Sequence, residues 1–192
     1  MTTLNYTKSR SIKRFRESVA REDKVAAKIR WLPITKGKYW GLTAPELIIR
    51  DASHFSWAMS VPGFFSAAQR HQAEIVAARA AHILPPEGNV PSQGFCFQFN
   101  ERGYLQAISI AKKPRKGRGA KSGLVWLPHL NLLISQQLQH RGDKYGPLKV
   151  AQLVREKLLF EECPNRVICE RFFEDDEKFA ITCACRHFLP GA

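Results

Sequence analysis

The hydrophobic period of this chain changes at one place, and that change limits the folds open to it. Residues 85–93, PPEGNVPSQ, hold three prolines and one glycine in nine positions, so neither a helix nor a central strand runs through them. Ahead of them lies SAAQRHQAEIVAARAAHIL, residues 66–84, rich in alanine, with Ser66 to open a helix and Pro85 and Pro86 to stop it. Behind them Phe95, Phe97 and Phe99 alternate with Cys96 and Gln98, the period-two pattern of a half-buried strand. Asn100-Glu101-Arg102-Gly103 then forms a turn, and residues 104–111 return as a second strand. No segment repeats, and strands do not alternate with helices. The pattern is α+β, not a series of βαβ units.

The remaining segments fill in this outline. Residues 31–40 read as a strand and turn. Thr43 is placed to cap a short helix, with Pro45 in its first turn and Glu46 at the third position. Asp51 or Ser53 caps the next segment, which supplies Phe55 and Met59 to a core before Pro62-Gly63 breaks it and Phe64 and Phe65 follow. Past the first hairpin, residues 124–127 are an apolar run and 130–138 read as helix. Tyr145-Gly146-Pro147 opens a helix to Phe160, with Val150, Leu153, Val154, Leu158 and Leu159 on its inner side. A closing hairpin is expected from residues 166–173, the acidic turn 174–177, and 178–189. The expected architecture is a basic helical arm (1–30), a small strand-turn-helix module (31–84), a linker (85–93) and a hairpin-helix-hairpin α+β domain (94–192).

Charge narrows the partners. The 192 residues carry 30 Lys and Arg against 17 Asp and Glu, a net charge of +13. A field of that sign attracts polyanions, of which nucleic acid is the commonest. Two segments concentrate it. The first 30 residues hold nine basic and three acidic side chains, and Lys13 and Arg14 lie beside a thin apolar stripe of Ile12, Phe15 and Val19. Residues 112–123, KKPRKGRGAKSG, hold Lys112, Lys113, Arg115, Lys116, Arg118 and Lys121 with no acid and three glycines. Such a loop repels itself unless an anion is present, and its glycines let the charges follow a phosphate path. There is no apolar run of about 18 residues to cross a membrane, no signal-peptide pattern, and no disulfide framework in five cysteines. A cytoplasmic protein without a membrane partner is expected.

Residues 31–59 hold the most specific pattern. Gly37 and Gly41 bracket Lys38, Tyr39 and Trp40, with Lys36 just before them. Cations interleaved with aromatics suit phosphates and unstacked bases at once. The sequence Thr35-Lys36-Gly37-Lys38-Tyr39-Trp40-Gly41, followed by Leu42, Leu47, Asp51 and Phe55-Ser56-Trp57, resembles the small C-terminal module of exodeoxyribonuclease X-like proteins. The resemblance covers residues 31–84. It departs from that family's pattern at Trp40, where a basic residue is more usual, and at Asp51-Ala52, where Asp-Pro is expected. It implies association with DNA or RNA processing in phage-, plasmid- or defence-type systems, and it implies no catalysis in this module. The nuclease half of that family needs an ordered set of acids for two metal ions, and this chain shows none.

The cysteines raise a separate expectation. Cys163, Cys169, Cys183 and Cys185, with His187 as an alternate, could ligate zinc, although neither pair has CxxC spacing. If 166–173 and 178–189 pair as strands, register decides whether Cys169 meets Cys183. Zinc is therefore the candidate cofactor, and cysteine as a small core residue is the competing reading. No nucleophile motif, Walker loop or dinucleotide fingerprint is present. The sequence points to a non-catalytic nucleic-acid-binding accessory protein or complex subunit. One alternative is an RNA-binding structural subunit of a ribonucleoprotein, CRISPR-type assemblies included. The other is a metal-dependent nuclease using Asp175-Asp176-Glu177-Lys178.

Overall fold

The computed structural model describes residues 29–86, 92–114, 123–161 and 163–180. By its internal contacts the chain divides into Met1–Arg30 and Trp31–Ala192, and the elements below belong to the second unit. They are six α-helices and a three-stranded antiparallel sheet among the described residues, an α+β fold.

The first helices start where the capping residues require. Helix α1 (Ala44–Arg50) has Thr43 as its N-cap and Pro45 in its first turn, and Glu46 Oε2 accepts the Thr43 N–H at 2.8 Å. That bond satisfies one of the donors that a helix start leaves unpaired. Asp51 both ends α1 and caps α2 (Ala52–Ser60), where its Oδ1 accepts the His54 N–H at 2.9 Å. Ser66 and Gln69 form a reciprocal box at the start of α3 (Ala67–Ala80), with bonds of 2.9 and 3.3 Å. Leu47, Ile48, Phe55, Ala58, Ala73, Val76 and Ala80 from these helices are buried together.

Strand β1 (Gln93–Phe99) lies at the centre of the sheet, between β2 (Leu105–Lys112) and β3 (Leu124–Leu127). Phe95 pairs with Ile110 and Leu127, and Phe97 with Ile108 and Val125. The phenylalanine alternation sets this register, because a one-residue slip would turn Phe95 and Phe97, both buried, to the other face. After β3 come α4 (Ile134–His140), α5 (Gly146–Leu153) and a π-helical turn, Val154–Leu159. The expected inner face of this helix is buried at all five positions. The helix widens after Leu153 and stops at Phe160, which takes a left-handed φ of 55°.

Three expectations are corrected. Residues 31–40 form no strand. Ile34 instead exchanges backbone bonds with Leu42 and Gly41, at 2.7 and 2.8 Å, and closes a loop. Residues 166–173 form a helix, α6 (Arg166–Glu174), and not the first arm of a hairpin. Asn165 caps it, accepting the Ile168 N–H at 3.0 Å, and its buried residues Cys169, Phe172 and Phe173 are spaced for a helix face. Val167 and Ile168 favour strand by residue type, but Val167 faces solvent.

The third correction concerns the boundary expected at 85–93. Ile83 is bridged to Leu130 on one side and to Phe179 on the other, so segments before and after the prolines share a core. Arg79, 5% exposed, reinforces that joint. Its guanidinium donates to the Phe173 carbonyl, pairs with Asp176 and lies over the Phe179 ring. Trp31 Nε1 also donates to Glu174 at 2.9 Å. The prolines mark a change of layer within one folded unit. No helix among the described residues is long and apolar enough to cross a membrane.

A buried carboxylate ties the sheet to the helices, beside Lys149 Nζ of α5, which donates to the Leu105 and Gln106 carbonyls at 2.7 and 2.9 Å. Asp143, 3% exposed, accepts the Leu105 N–H of β2 at 2.7 Å on one oxygen. Its other oxygen accepts the Tyr145 and Gly146 N–H groups at the start of α5, at 3.2 and 2.8 Å. Truncation strands these donors, each costing about 1–3 kcal/mol where buried. The expected result for Asp143→Ala is a loss of about 3 kcal/mol in urea unfolding with an unchanged m-value, and a smaller loss for Asp143→Asn, which keeps one acceptor.

Candidate nucleic-acid interface

The glycine-bracketed loop gains its shape from two residues with positive φ, Gly37 at 76° and Gly41 at 87°. A side chain at either position would be strained. The Trp40 N–H donates to the Gly37 carbonyl at 3.2 Å, and the Leu42 N–H to the Tyr39 carbonyl at 3.2 Å. Outside partners hold both ends. Lys36 Nζ donates to the Gly63 carbonyl at 2.9 Å, and Arg166 of α6 donates to the Gly41 carbonyl while pairing with Glu46 at 3.0 Å.

This rigid turn presents its side chains differently. Tyr39 leans inward, donating its O–H to Asp51 Oδ2 at 2.8 Å and meeting the His54 ring edge-on at 4.9 Å. Burial, then the bond to Asp51, pushes the Tyr39 pKa up, so its phenol remains a donor through the neutral range. Lys38 Nζ sits 4.8 Å from the Tyr39 ring centre, a cation–π contact. Trp40 leans outward and is 74% exposed. From Tyr39 an aromatic row continues through His54, Trp57, Phe64 and Phe65, with neighbouring centroids 4.8–5.6 Å apart. Trp57 is exposed as well. The row backs the loop with packed rings and leaves two indoles open to solvent.

Behind Tyr39 opens a cleft of about 460 Å³, walled by the end of α1, the start of α2, α4 and α5. Arg50, Lys144 and Leu148 stand in its walls, and Tyr145, beside Lys144 in the chain, is 70% exposed. Sequence reasoning missed this second rim. One signal was available: Lys144-Tyr145-Gly146 repeats, in short form, the Lys38-Tyr39-Trp40-Gly41 pattern.

The structure brings Lys36, Lys38, Tyr39 and Trp40 together in one loop; of the second basic group, the described residues are Lys112 and Lys113. Lys112 ends β2, seven residues beyond the Leu105 end that meets Asp143, roughly 24 Å along an antiparallel strand. Lys113 follows, with its Nζ 5.4 Å from the Trp126 ring centre. Arg115, Lys116, Arg118 and Lys121 lie outside the described residues, as do Lys13, Arg14 and the rest of the expected basic arm as far as residue 28.

The cysteines divide similarly. Cys183, Cys185 and the alternate His187 lie outside the described residues. Since 166–173 is helical, the hairpin register that would have set Cys169 against Cys183 does not exist. Cys163 is exposed in the turn before α6, and Cys169 is buried on α6; both line a small cavity of about 130 Å³ with Glu46 and Arg50. No group of three or more His, Cys, Asp or Glu side chains disposed to hold a metal occurs among the described residues. The acids of the nuclease alternative have structural partners: Asp176 pairs with Arg79, and Asp175 with Lys178 at 3.5 Å.

No protein-family model, curated protein or solved structure matches the chain.

Burial, followed by the nearby Glu46 and Glu170 charges, pushes the Cys169 thiol up to about 12. At pH 8 it carries almost no thiolate, the form that reacts. Iodoacetamide on the native protein, read by peptide mass spectrometry, is expected to label Cys163 at least about 100-fold faster than Cys169. In denaturant the two rates should converge; fast native labelling of Cys169 would contradict its burial.

Proposed function

We propose that this chain is a non-catalytic nucleic-acid-binding protein, an accessory or complex subunit in DNA or RNA processing. One observation carries the reading. Trp40 stands 74% exposed, directly after Lys38 and Tyr39, on a loop closed at its base by the Ile34 bonds to Leu42 and Gly41 and held at Gly41 by Arg166. An indole held outward on a rigid turn offers a stacking face at little ordering cost, and unpaired bases supply such faces in any sequence. Lys36 and Lys38 give the accompanying phosphate contacts, and the net charge of +13 provides the long-range attraction. Lys112 and Lys113, leading into Arg115, Lys116, Arg118 and Lys121, form a second cationic contact for a longer strand. The resemblance of residues 31–84 to the exodeoxyribonuclease X C-terminal module supports a place in phage-, plasmid- or defence-type systems.

Fluorescence anisotropy with labelled single- and double-stranded DNA and RNA, over a series of salt concentrations, tests this. Single strands are expected to bind at sub-micromolar concentrations in low salt, with affinity falling steeply as salt rises. Trp40→Ala should weaken binding about 10-fold, within the range for losing one base stack, and leave the salt slope nearly unchanged. Lys38→Gln should instead flatten that slope by about one unit. If no nucleic acid binds below micromolar in low salt, the reading fails.

A further inference from the structure

The cleft behind Tyr39 has no part in displaying Trp40, yet it adjoins the same loop. Its volume of about 460 Å³ is in the usual range of small-ligand sites, roughly 300–1,000 Å³. Its floor is apolar, built from Ile48, Leu132, Val150 and Val154. Its polar groups divide by availability. The Asp51 and Asp143 carboxylates are turned to their own O–H and N–H donors. Arg50 and Lys144 are exposed and form no ion pair among the described residues. Ser53, also in the wall, has a hydroxyl with no hydrogen-bond partner among them. Gln139, exposed in the wall, brings an amide to the cleft. A flat apolar body carrying polar edge groups and an anion fits this division: the ring has the floor, the edge has Gln139 and Ser53, and the anion has the two rim cations.

We propose that the cleft receives one nucleotide, with its base inside and its phosphate between Arg50 and Lys144. This rests on the nucleic-acid reading above and deepens it. Tyr39 belongs to both surfaces, since its ring supports Lys38 and also lines the cleft. A strand stacked on Trp40 therefore has a cleft beside it for an adjacent unstacked base. Exposed Tyr145, next to Lys144, and Leu148 extend the apolar surface along the opposite rim. The same chemistry could come from a free mononucleotide, so the strand and the monomer are separate arms of the test.

The experiment uses the full chain and two charge-matched double variants. Arg50→Gln with Lys144→Gln removes the rim cations. Arg102→Gln with Lys157→Gln removes two exposed cations elsewhere and controls for net charge. Calorimetry with adenosine 5′-monophosphate, adenosine and inorganic phosphate is run beside anisotropy with a labelled single-stranded 12-mer. The monophosphate is expected to bind at least 10-fold more tightly than adenosine or phosphate alone. The rim variant should lose at least 10-fold for the monophosphate, while the control variant changes less than 3-fold. For the 12-mer, the rim variant should lose more affinity than the control, and excess monophosphate should weaken binding without abolishing it. If the 12-mer binds but both variants weaken it equally and the monophosphate does not bind, the cleft assignment is overturned and the Trp40 surface stands. If the monophosphate binds and depends on the rim while no strand binds at low salt, the cleft assignment holds for a free nucleotide and the strand reading falls.

Discussion

Asp143, a buried carboxylate, ties the sheet to the helices, with Lys149 of α5 donating to the Leu105 and Gln106 carbonyls beside it. Asp143 accepts three backbone N–H groups, one from the first residue of β2 and two from the start of α5. A buried carboxylate is costly unless its lone pairs are taken, and the same N–H groups would be costly without it. Satisfying all of them at once fixes where the sheet meets the helices. It also fixes the next residues along the chain. Lys144 and Tyr145 follow immediately, so the exposed rim of the cleft is held by a contact at its base. Gly146 is part of the same constraint, since a side chain there would run into the Asp143 carboxylate.

The display loop at the other side of the cleft depends on a comparable economy. Its two positive-φ glycines set the turn, the Lys36 side chain reaches the Gly63 carbonyl, and Arg166 holds the Gly41 carbonyl. Arg166 comes from α6, more than a hundred residues away in sequence, so the loop is ordered by the tertiary fold and not by its own bonds alone. Tyr39 is turned in and its hydroxyl satisfied, whereas Trp40 is left in water. Trp40 thus leaves an indole face in water directly after a tyrosine that is packed and hydrogen-bonded. Rigidity and exposure together favour a surface whose ordering cost is met in folding, before any ligand arrives.

Much of the local structure was legible because it follows from short-range rules. Thr43-Pro45-Glu46, Asp51 and Ser66 marked three helix starts, and Phe95, Phe97 and Asn100-Gly103 marked the hairpin. Val150, Leu153, Val154, Leu158 and Leu159 marked a buried helix face. The errors lay where local preference and tertiary setting disagree. Val167, Ile168 and the phenylalanines of 166–173 favour strand by type, but Asn165 and the spacing of Cys169, Phe172 and Phe173 favour helix, and the helix buries the larger face. The prolines at 85–93 looked like a boundary, yet Ile83 pairs with residues far beyond them. Of the candidate interface, the loop was visible in sequence as lysines among aromatics. The cleft was not, because Arg50 and Lys144 are nearly a hundred positions apart and only packing makes them neighbours of one cavity.

The amino-acid sequence by itself determined the class of the fold, the capped helix starts, the phenylalanine register of the hairpin and the strongly cationic character of the protein. Each is a property of neighbouring residues or of composition, set by backbone sterics, hydrogen-bond supply and charge. The tertiary structure alone decided that the described segments on either side of the prolines share one core, that Tyr39 turns in while Trp40 turns out, and that a cleft opens between two lysine-aromatic rims. Those outcomes depend on which groups find partners across long stretches of chain: buried Arg79 with Phe173 and Asp176, exposed Arg166 with Gly41 and Glu46, and buried Asp143 with the starts of β2 and α5. No local rule carries that information, because each partnership exists only after the rest of the molecule has packed.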